Sequence, residues 1–503
     1  MVERLPVGTR VIYPPAPRSP LAHPGAAVRY ALNHPEGTEP LHAQLRPGMR
    51  VTIAIDDLSV SFPSMRSPDV RQTIVEAVLG LLADHGVDDV HIIVATGLNR
   101  RMTGAELQRM VGRKIFATHW PDRLYNHDAE DPAGFVELGR SRHGGVVRLD
   151  RRCVESDLVV CVAVHCAPAA LGQQPFGVGL CDYETHKAHF TSANIRASSG
   201  YTDSSSSGLQ RSVDGLGRLV EQHLKVFHIA AALNNRTYDG AMGFLGKNED
   251  HYTELDRVKL KALQWTLDRT PQPLRRELFM RVPAAYQMIA VHAGAAQPVQ
   301  QKVLAACASQ CAVGVHGQAD VLISGVPCVS PYNVGSAALN PVLVQFMGLG
   351  YGFHMARPVP VVKKGGVLIL THPCSDRFDP DHHPSYIEFF HRLLPSTRDA
   401  ATLESTYQDE VARNPSFTEM YRRGHAYHGA HPFYAWYWGE AARQHLAKVI
   451  VVGADNAHVP ERLGWTRAET LRDAIAEAKS FLGRSPEITV MHQPPAVVAD
   501  MSV

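Results

Sequence analysis

The residues with the clearest capacity for chemistry sit at the ends of apolar runs. Leu158–Val164 reads LVVCVAV and delivers His165, a Gly- and Pro-containing loop follows, and His186, Lys187 and His189 then crowd into one short stretch. Imidazole exchanges protons near neutrality and, in its neutral form, binds divalent metals. Parallel α/β enzymes hold such groups in the crevice beyond the carboxyl ends of their strands. Two other runs end comparably. Arg50–Ile55 (RVTIAI) leads into Asp56-Asp57, and Asp88–Ala95 leads into Thr96-Gly97-Leu98-Asn99-Arg100-Arg101. Asp57 offers a carboxylate, and the forked guanidinium of Arg100 suits a substrate carboxylate or a cofactor phosphate. If the three strands are neighbours, their tips form one site.

Each residue also has a plainer role. Asp57 can cap the following helix. Arg100 and Arg101 can be solvated loop charges, and His186 and Lys187 can face water at a helix start. Lys363-Lys364 before Gly365-Gly366 reads as an exposed turn, and His382-His383 in the Pro/Asp loop Asp379–Pro384 reads as surface.

The elements that must position the tips follow from periodicity. Ala26, Ala27, Tyr30 and Ala31 make a helical patch in the Pro-rich opening stretch. Ser67-Pro68 starts a helix whose buried face is Val70, Ile74, Val78, Leu81 and Leu82. With the strands on either side it makes a βαβ unit with a right-handed crossover. Thr103 followed by Glu106 has the capping-box spacing. Helix Val213–Phe227 leads into strand Phe227–Leu233, and Thr253–Gln310 is rich in helical periodicity. A second α/β set runs from Ala319–Ile323 through the small-residue helix Gly335–Phe346 to strand Gly366–Thr371. It closes with strand Lys448–Gly453, a helix Thr466–Leu482 capped by Thr466 with Glu469, and strand Glu487–Met491. The expected fold is α/β: two α/β domains with mostly parallel sheets and a cleft between them, residues 1–285 and 286–503.

Composition bounds the function classes. A chain of 503 residues exceeds one ordinary core. With 50 basic against 49 acidic residues and a net charge of +1, it has no electrostatic reason to bind nucleic acid or a membrane surface. Neither a signal peptide nor a membrane-spanning run is visible, so the expected location is cytoplasmic. The 8 cysteines include no CxxC pair, which argues for buried thiols over disulfides or structural zinc.

Several stretches together resemble the nickel-dependent lactate racemase family: His23–Asp57, Ala95–Glu106, Asn126–Val164, Tyr183-Glu184-Thr185 and Lys448–Met491. The resemblance implies a racemase or epimerase of a 2-hydroxy acid or sugar acid. Hydride leaves and returns at C2 on a nickel-pincer nucleotide while histidines exchange the hydroxyl proton. His165 falls on one catalytic histidine and Asn99 on the other, within Gly97-Leu98-Asn99-Arg100-Arg101, where the family has Gly-Leu-His-Arg-Pro. Asp57 is the aspartate of Asp-x-Thr-Arg-Pro, continued here as Leu58-Ser59-Val60-Ser61, and with Arg100 it is assigned to cofactor binding. Pro175 stands where the family has its tethering lysine, so the cofactor is expected to bind without a covalent link. His189, with His186 as rival, is the expected nickel ligand. The family's second-domain Gln and Lys are not visible in Val326–Ala338, and residues near 253–318 match the pattern poorly.

Asparagine cannot exchange a proton near neutrality. Two alternatives therefore stand beside the racemase: an enzyme using another divalent metal on Asp57, His165, His186 and His189, or a non-catalytic binding protein on the same scaffold.

Overall fold

The computed structural model describes residues 3–59, 64–141, 145–167, 178–198, 207–271, 274–275, 283–327, 339–483, 485–493 and 496–502. Pro175, Val60-Ser61, residues 201–206 of the serine-rich loop and residues 328–338 lie outside them.

Two six-stranded sheets organise the chain. The first has the order Leu124–Asn126, Asp89–Val94, Arg50–Ile55, Leu158–His165, Val226–Leu233, Met288–Gly294. All of its pairings are parallel except the last. Every residue of Leu158–His165 is buried, as expected for a central strand covered on both faces. The second sheet is parallel throughout, in the order Arg10–Ile12, Ile488–Met491, Ala319–Gly325, Val362–Thr371, Lys448–Val452, Thr466–Ala468. The chain is thus α/β with two mostly parallel sheets.

Strand pairing divides the chain differently from a cut at residue 285. Met288–Gly294 closes the first sheet antiparallel to Val226–Leu233, and helix Ala296–Cys311 continues over that edge. In the other direction, Arg10–Ile12 joins the second sheet beside Ile488–Met491. Edge strands are placed by whichever sheet offers unpaired backbone groups, which a linear reading does not contain.

Other differences are local. The helix after Ser67-Pro68 begins at Val70, because the Asp69 side chain accepts from the Arg71 amide and so is the cap. Helix Gly208–His223 starts and ends earlier than periodicity suggests. The small-residue helix is described as Pro341–Gln345, running into a π-helical turn at Phe346–Tyr351. Thr466–Ala468 is an edge strand paired with Ile450–Val452, and the last helix is Leu471–Leu482, capped by Thr470 on the Asp473 amide. Thr470 and Asp473 repeat the Thr-to-acid spacing four residues on, leaving Thr466 free to extend the sheet. Lys363 lies within strand Val362–Thr371 and pairs with Asp320 at 3.1 Å and Glu487 at 2.8 Å. His383 is buried and stacks on Tyr427 with ring centroids 5.6 Å apart, so it is not a surface residue. The capping box of Thr103 with Glu106 is formed as read.

One glycine is required where the opening segment meets the first sheet. Gly294 has φ +132°, and a Cβ there would lie 2.2 Å from the Glu36 carbonyl oxygen, across the bridge Glu36 makes to it. Gly294→Ala is expected to lower stability by about 2 kcal/mol through strain and loss of that bridge. Chemical denaturation would measure it; an unchanged midpoint would mean the backbone yields at no cost.

Candidate functional site

The three polar tips do come from neighbouring strands. Arg50–Ile55 lies between Asp89–Val94 and Leu158–His165, so the residues after the outer two strands are roughly 10 Å apart, two strand spacings. His165 ends the central strand and is only 6% exposed, and burial pulls its imidazole down to about 4. It is therefore neutral near pH 7 and able to accept a proton.

Asp56 and Asp57 tie the middle strand to its neighbours. One Asp56 carboxylate oxygen accepts from the Val164 amide at 2.7 Å, which fixes the backbone next to His165. Burial raises the Asp56 carboxyl to about 7, against the opposing pull of the Val164 hydrogen bond and of Arg71. Arg71 is itself buried, paired with Asp69 at 2.8 Å and donating to the Asp57 carbonyl at 2.6 Å. Asp57 does not cap a helix. Its Oδ1 accepts from the Ser59 amide and hydroxyl, and its Oδ2 accepts from Asn99 Nδ2 at 2.8 Å.

Arg100 is buried with its fork closed on Glu106, at 3.0 and 2.7 Å. Glu106 is also the acid of the helix-start capping box. The guanidinium that sequence assigns to a cofactor contact thus anchors the loop to the helix behind it.

A segment that sequence reasoning passed over grips this loop from the other half of the chain. Tyr421 donates to the Gly97 carbonyl at 2.7 Å, and the His428 amide donates to the Leu98 carbonyl at 3.2 Å. His431 Nε2 meets Asn99 Oδ1 at 2.8 Å, and His425 Nδ1 meets the Arg101 carbonyl at 2.9 Å. The signal available in sequence was the aromatic stretch Tyr421–His431, with histidines at every third position from 425 to 431.

Helix Tyr183–His189, capped by Asp182, carries the two expected metal ligands. It is held by the same half: Tyr183 and Lys187 both reach Asp409, at 3.1 and 2.5 Å. Both histidines are buried rather than solvent-facing. His186 Nε2 hydrogen-bonds the Val178 carbonyl, while its Nδ1 has no hydrogen-bond partner among the described residues. A Cβ on Gly97 would come within 3.1 Å of His186 Nε2, so this ring abuts the Gly97–Asn99 loop. His189 instead bonds Ser212 through Nδ1 at 2.8 Å, on helix Gly208–His223.

Among the described residues no group of three or more His, Cys, Asp or Glu side chains is arranged to hold a metal ion. A cage of Asp57, His165, His186 and His189 is therefore not formed. A cofactor that brings its own donors needs only one protein nitrogen, and the buried, neutral His186 ring with an unsatisfied Nδ1 fits that requirement.

Residues 5–196 match the family model described as the lactate racemase N-terminal domain. No curated protein matches the sequence. Among solved structures, the lactate racemase apoprotein from Thermoanaerobacterium thermosaccharolyticum is similar with a TM-score of 0.65 and 16% identity, over 99% of this chain and 97% of that one. A structural-genomics protein from Thermotoga maritima is similar with a TM-score of 0.53 and 11% identity, over 97% of this chain and 100% of that one. No described helix is long and apolar enough to cross a membrane. Residues 5–196 are thus similar to a lactate racemase N-terminal domain, and along its length the chain has the fold of the lactate racemase apoprotein.

Proposed function

We propose that this chain is an isomerase of the lactate racemase type, a racemase or epimerase of a small 2-hydroxy acid or sugar acid. The observation that carries the reading is His165: a buried, neutral imidazole at the carboxyl end of the central strand, flanked across one strand by the Asp57–Asn99 pair. A neutral imidazole there takes the proton of the substrate's 2-hydroxyl and returns it to the product. A nickel-pincer nucleotide, when bound, supplies hydride acceptance and return at C2. His186 is suited to hold it through Nδ1, the ring nitrogen not engaged by Val178, with His189 as its rival. With Pro175 in place of the family lysine, the group is held without a covalent tether.

Closure of the Arg100 fork on Glu106 favours a second reading, a relative that works without the nickel nucleotide or only binds its ligand. Elemental analysis and native mass spectrometry of protein from its native host separate the two. The first reading expects nickel near one per chain with added nucleotide mass, both lost in His186→Ala, and inversion of a 2-hydroxy acid on chiral chromatography. Nickel-free, adduct-free protein sinks it.

A further inference from the structure

Asn99 sits where the resembled family has a proton-exchanging histidine, yet its surroundings are not those of a vacated position. Its amide is engaged at both ends. Nδ2 faces Asp57 Oδ2 at 2.8 Å, and Oδ1 faces His431 Nε2 at 2.8 Å. Because the Asp57 carboxylate already accepts from the Ser59 amide and hydroxyl, the end of Asn99 that faces it must be the donor. The amide direction is then determined, and so is the next link. Asn99 Oδ1 accepts, hence His431 carries its proton on Nε2. His431 Nδ1 is left as the acceptor for the Tyr386 hydroxyl, 2.5 Å away. A directed chain of donors thus runs from Tyr386 through His431 and Asn99 to Asp57, crossing from the second half of the chain into the first.

The far end of this chain is rigid. Tyr386 is fully buried and His431 is buried between Tyr386 and Tyr427 rings. Asn99 itself is half-buried, and its second Nδ2 proton has no acceptor among the described residues. That proton is a fixed, uncharged donor at the strand tips that carry His165.

We propose that Asn99 is a substrate-binding residue, donating this amide proton to an oxygen of the 2-hydroxy acid, and that His431 and Tyr386 are positioning residues that set the direction of the amide. This rests on the racemase reading for the identity of the ligand. It makes the site asymmetric, with His165 as the proton exchanger and a neutral donor opposite it. Such a donor discriminates by leaving a polar pair unmade when the substrate oxygen is missing.

The first test needs no activity. In protein labelled with 15N-histidine at pH 7, the resonances removed by His431→Gln are expected to be those of a neutral ring protonated at Nε2, with Nδ1 accepting a hydrogen bond. Tyr386→Phe is expected to shift that Nδ1 signal toward the value of an unbonded nitrogen. A ring protonated at Nδ1, or at both nitrogens, overturns the proposal.

The second test is calorimetric, with pyruvate as the flat 2-keto acid probe. Asn99→Ala is expected to weaken binding 10-fold or more. His431→Ala is expected to weaken it about 5-fold, with partial rescue by His431→Gln, whose amide can still donate to Asn99. Pyruvate bound equally well by Asn99→Ala overturns the proposal, as does no binding to the unsubstituted chain. Binding that depends on Asn99 in a protein that inverts no 2-hydroxy acid leaves this assignment standing and fails the racemase reading alone. Where turnover is measured, Asn99→Ala should raise KM more than it lowers kcat.

Discussion

His165→Gln is expected to lower kcat for inversion of a 2-hydroxy acid by about 10²–10⁴-fold, the usual contribution of a positioned acid–base group. Glutamine keeps much of the volume and a hydrogen-bonding end but cannot exchange a proton near neutrality. Binding of a 2-keto acid such as pyruvate should therefore change far less than turnover. The pH profile offers a sharper test. Burial pulls His165 down to about 4, below the ordinary value of 6.5. Its proton-accepting form consequently persists on acidification, and the acid limb of kcat/KM should fall near pH 4 wherever the fold survives. A limb near 6.5 would mean a solvated imidazole does the work. Full activity in His165→Gln would remove this residue from the chemistry.

The sequence was most informative where structure is local. The run Leu158–Val164 reads as a covered strand because seven successive residues are apolar, and all of them are buried. Thr103 and Glu106 lie within one helical turn, so their mutual capping is legible from spacing alone. What periodicity does not encode is which surfaces meet. Arg100 reads as a free fork because nothing in its neighbourhood announces that Glu106, on the next turn, closes it. His383 reads as surface from its Pro/Asp loop, but it is buried, with the rings of Tyr386 and Tyr427 packed against it. The grip of Tyr421–His431 on Gly97–Arg101 joins residues more than 300 positions apart. The three histidines of that segment were visible, but their target was not.

Asp56→Asn is expected to stabilise the protein above pH 8, and the sign follows from which state holds the proton. In the folded chain burial raises this carboxyl from 3.8 to about 7, with Arg71 pulling it down and Asp57 and Asp69 pushing it up. Between those pH values the folded state binds more protons than the unfolded one, so the contribution of Asp56 to stability is lost as pH rises from about 4 to about 7. Each tenfold change in proton affinity is about 1.4 kcal/mol, which puts the penalty above pH 7 at roughly 2–4 kcal/mol once partial solvent access to the residue is allowed for. Asparagine keeps an acceptor for the Val164 amide and removes the charge, so most of that penalty should disappear.

Three buried imidazoles act with the opposite sign. His165, His186 and His431 are pulled below 6.5, to about 4, about 3 and about 3, chiefly by burial, with His383, His428 and His186 adding repulsion at His431. The unfolded state takes up their protons first, so their contribution is complete above pH 6.5 and is lost as pH falls toward 4. Together they outweigh Asp56, and the unsubstituted chain is expected to lose several kcal/mol between pH 7 and pH 4. Urea denaturation of both proteins at pH 4.5, 6 and 8 separates the terms. The difference in unfolding free energy, Asp56→Asn minus unsubstituted, should grow from near zero at pH 4.5 to its maximum at pH 8. A difference independent of pH would show that Asp56 carries its charge in the folded state at an ordinary cost. The hydrogen bond to Val164 would then be what that residue contributes to the placement of His165.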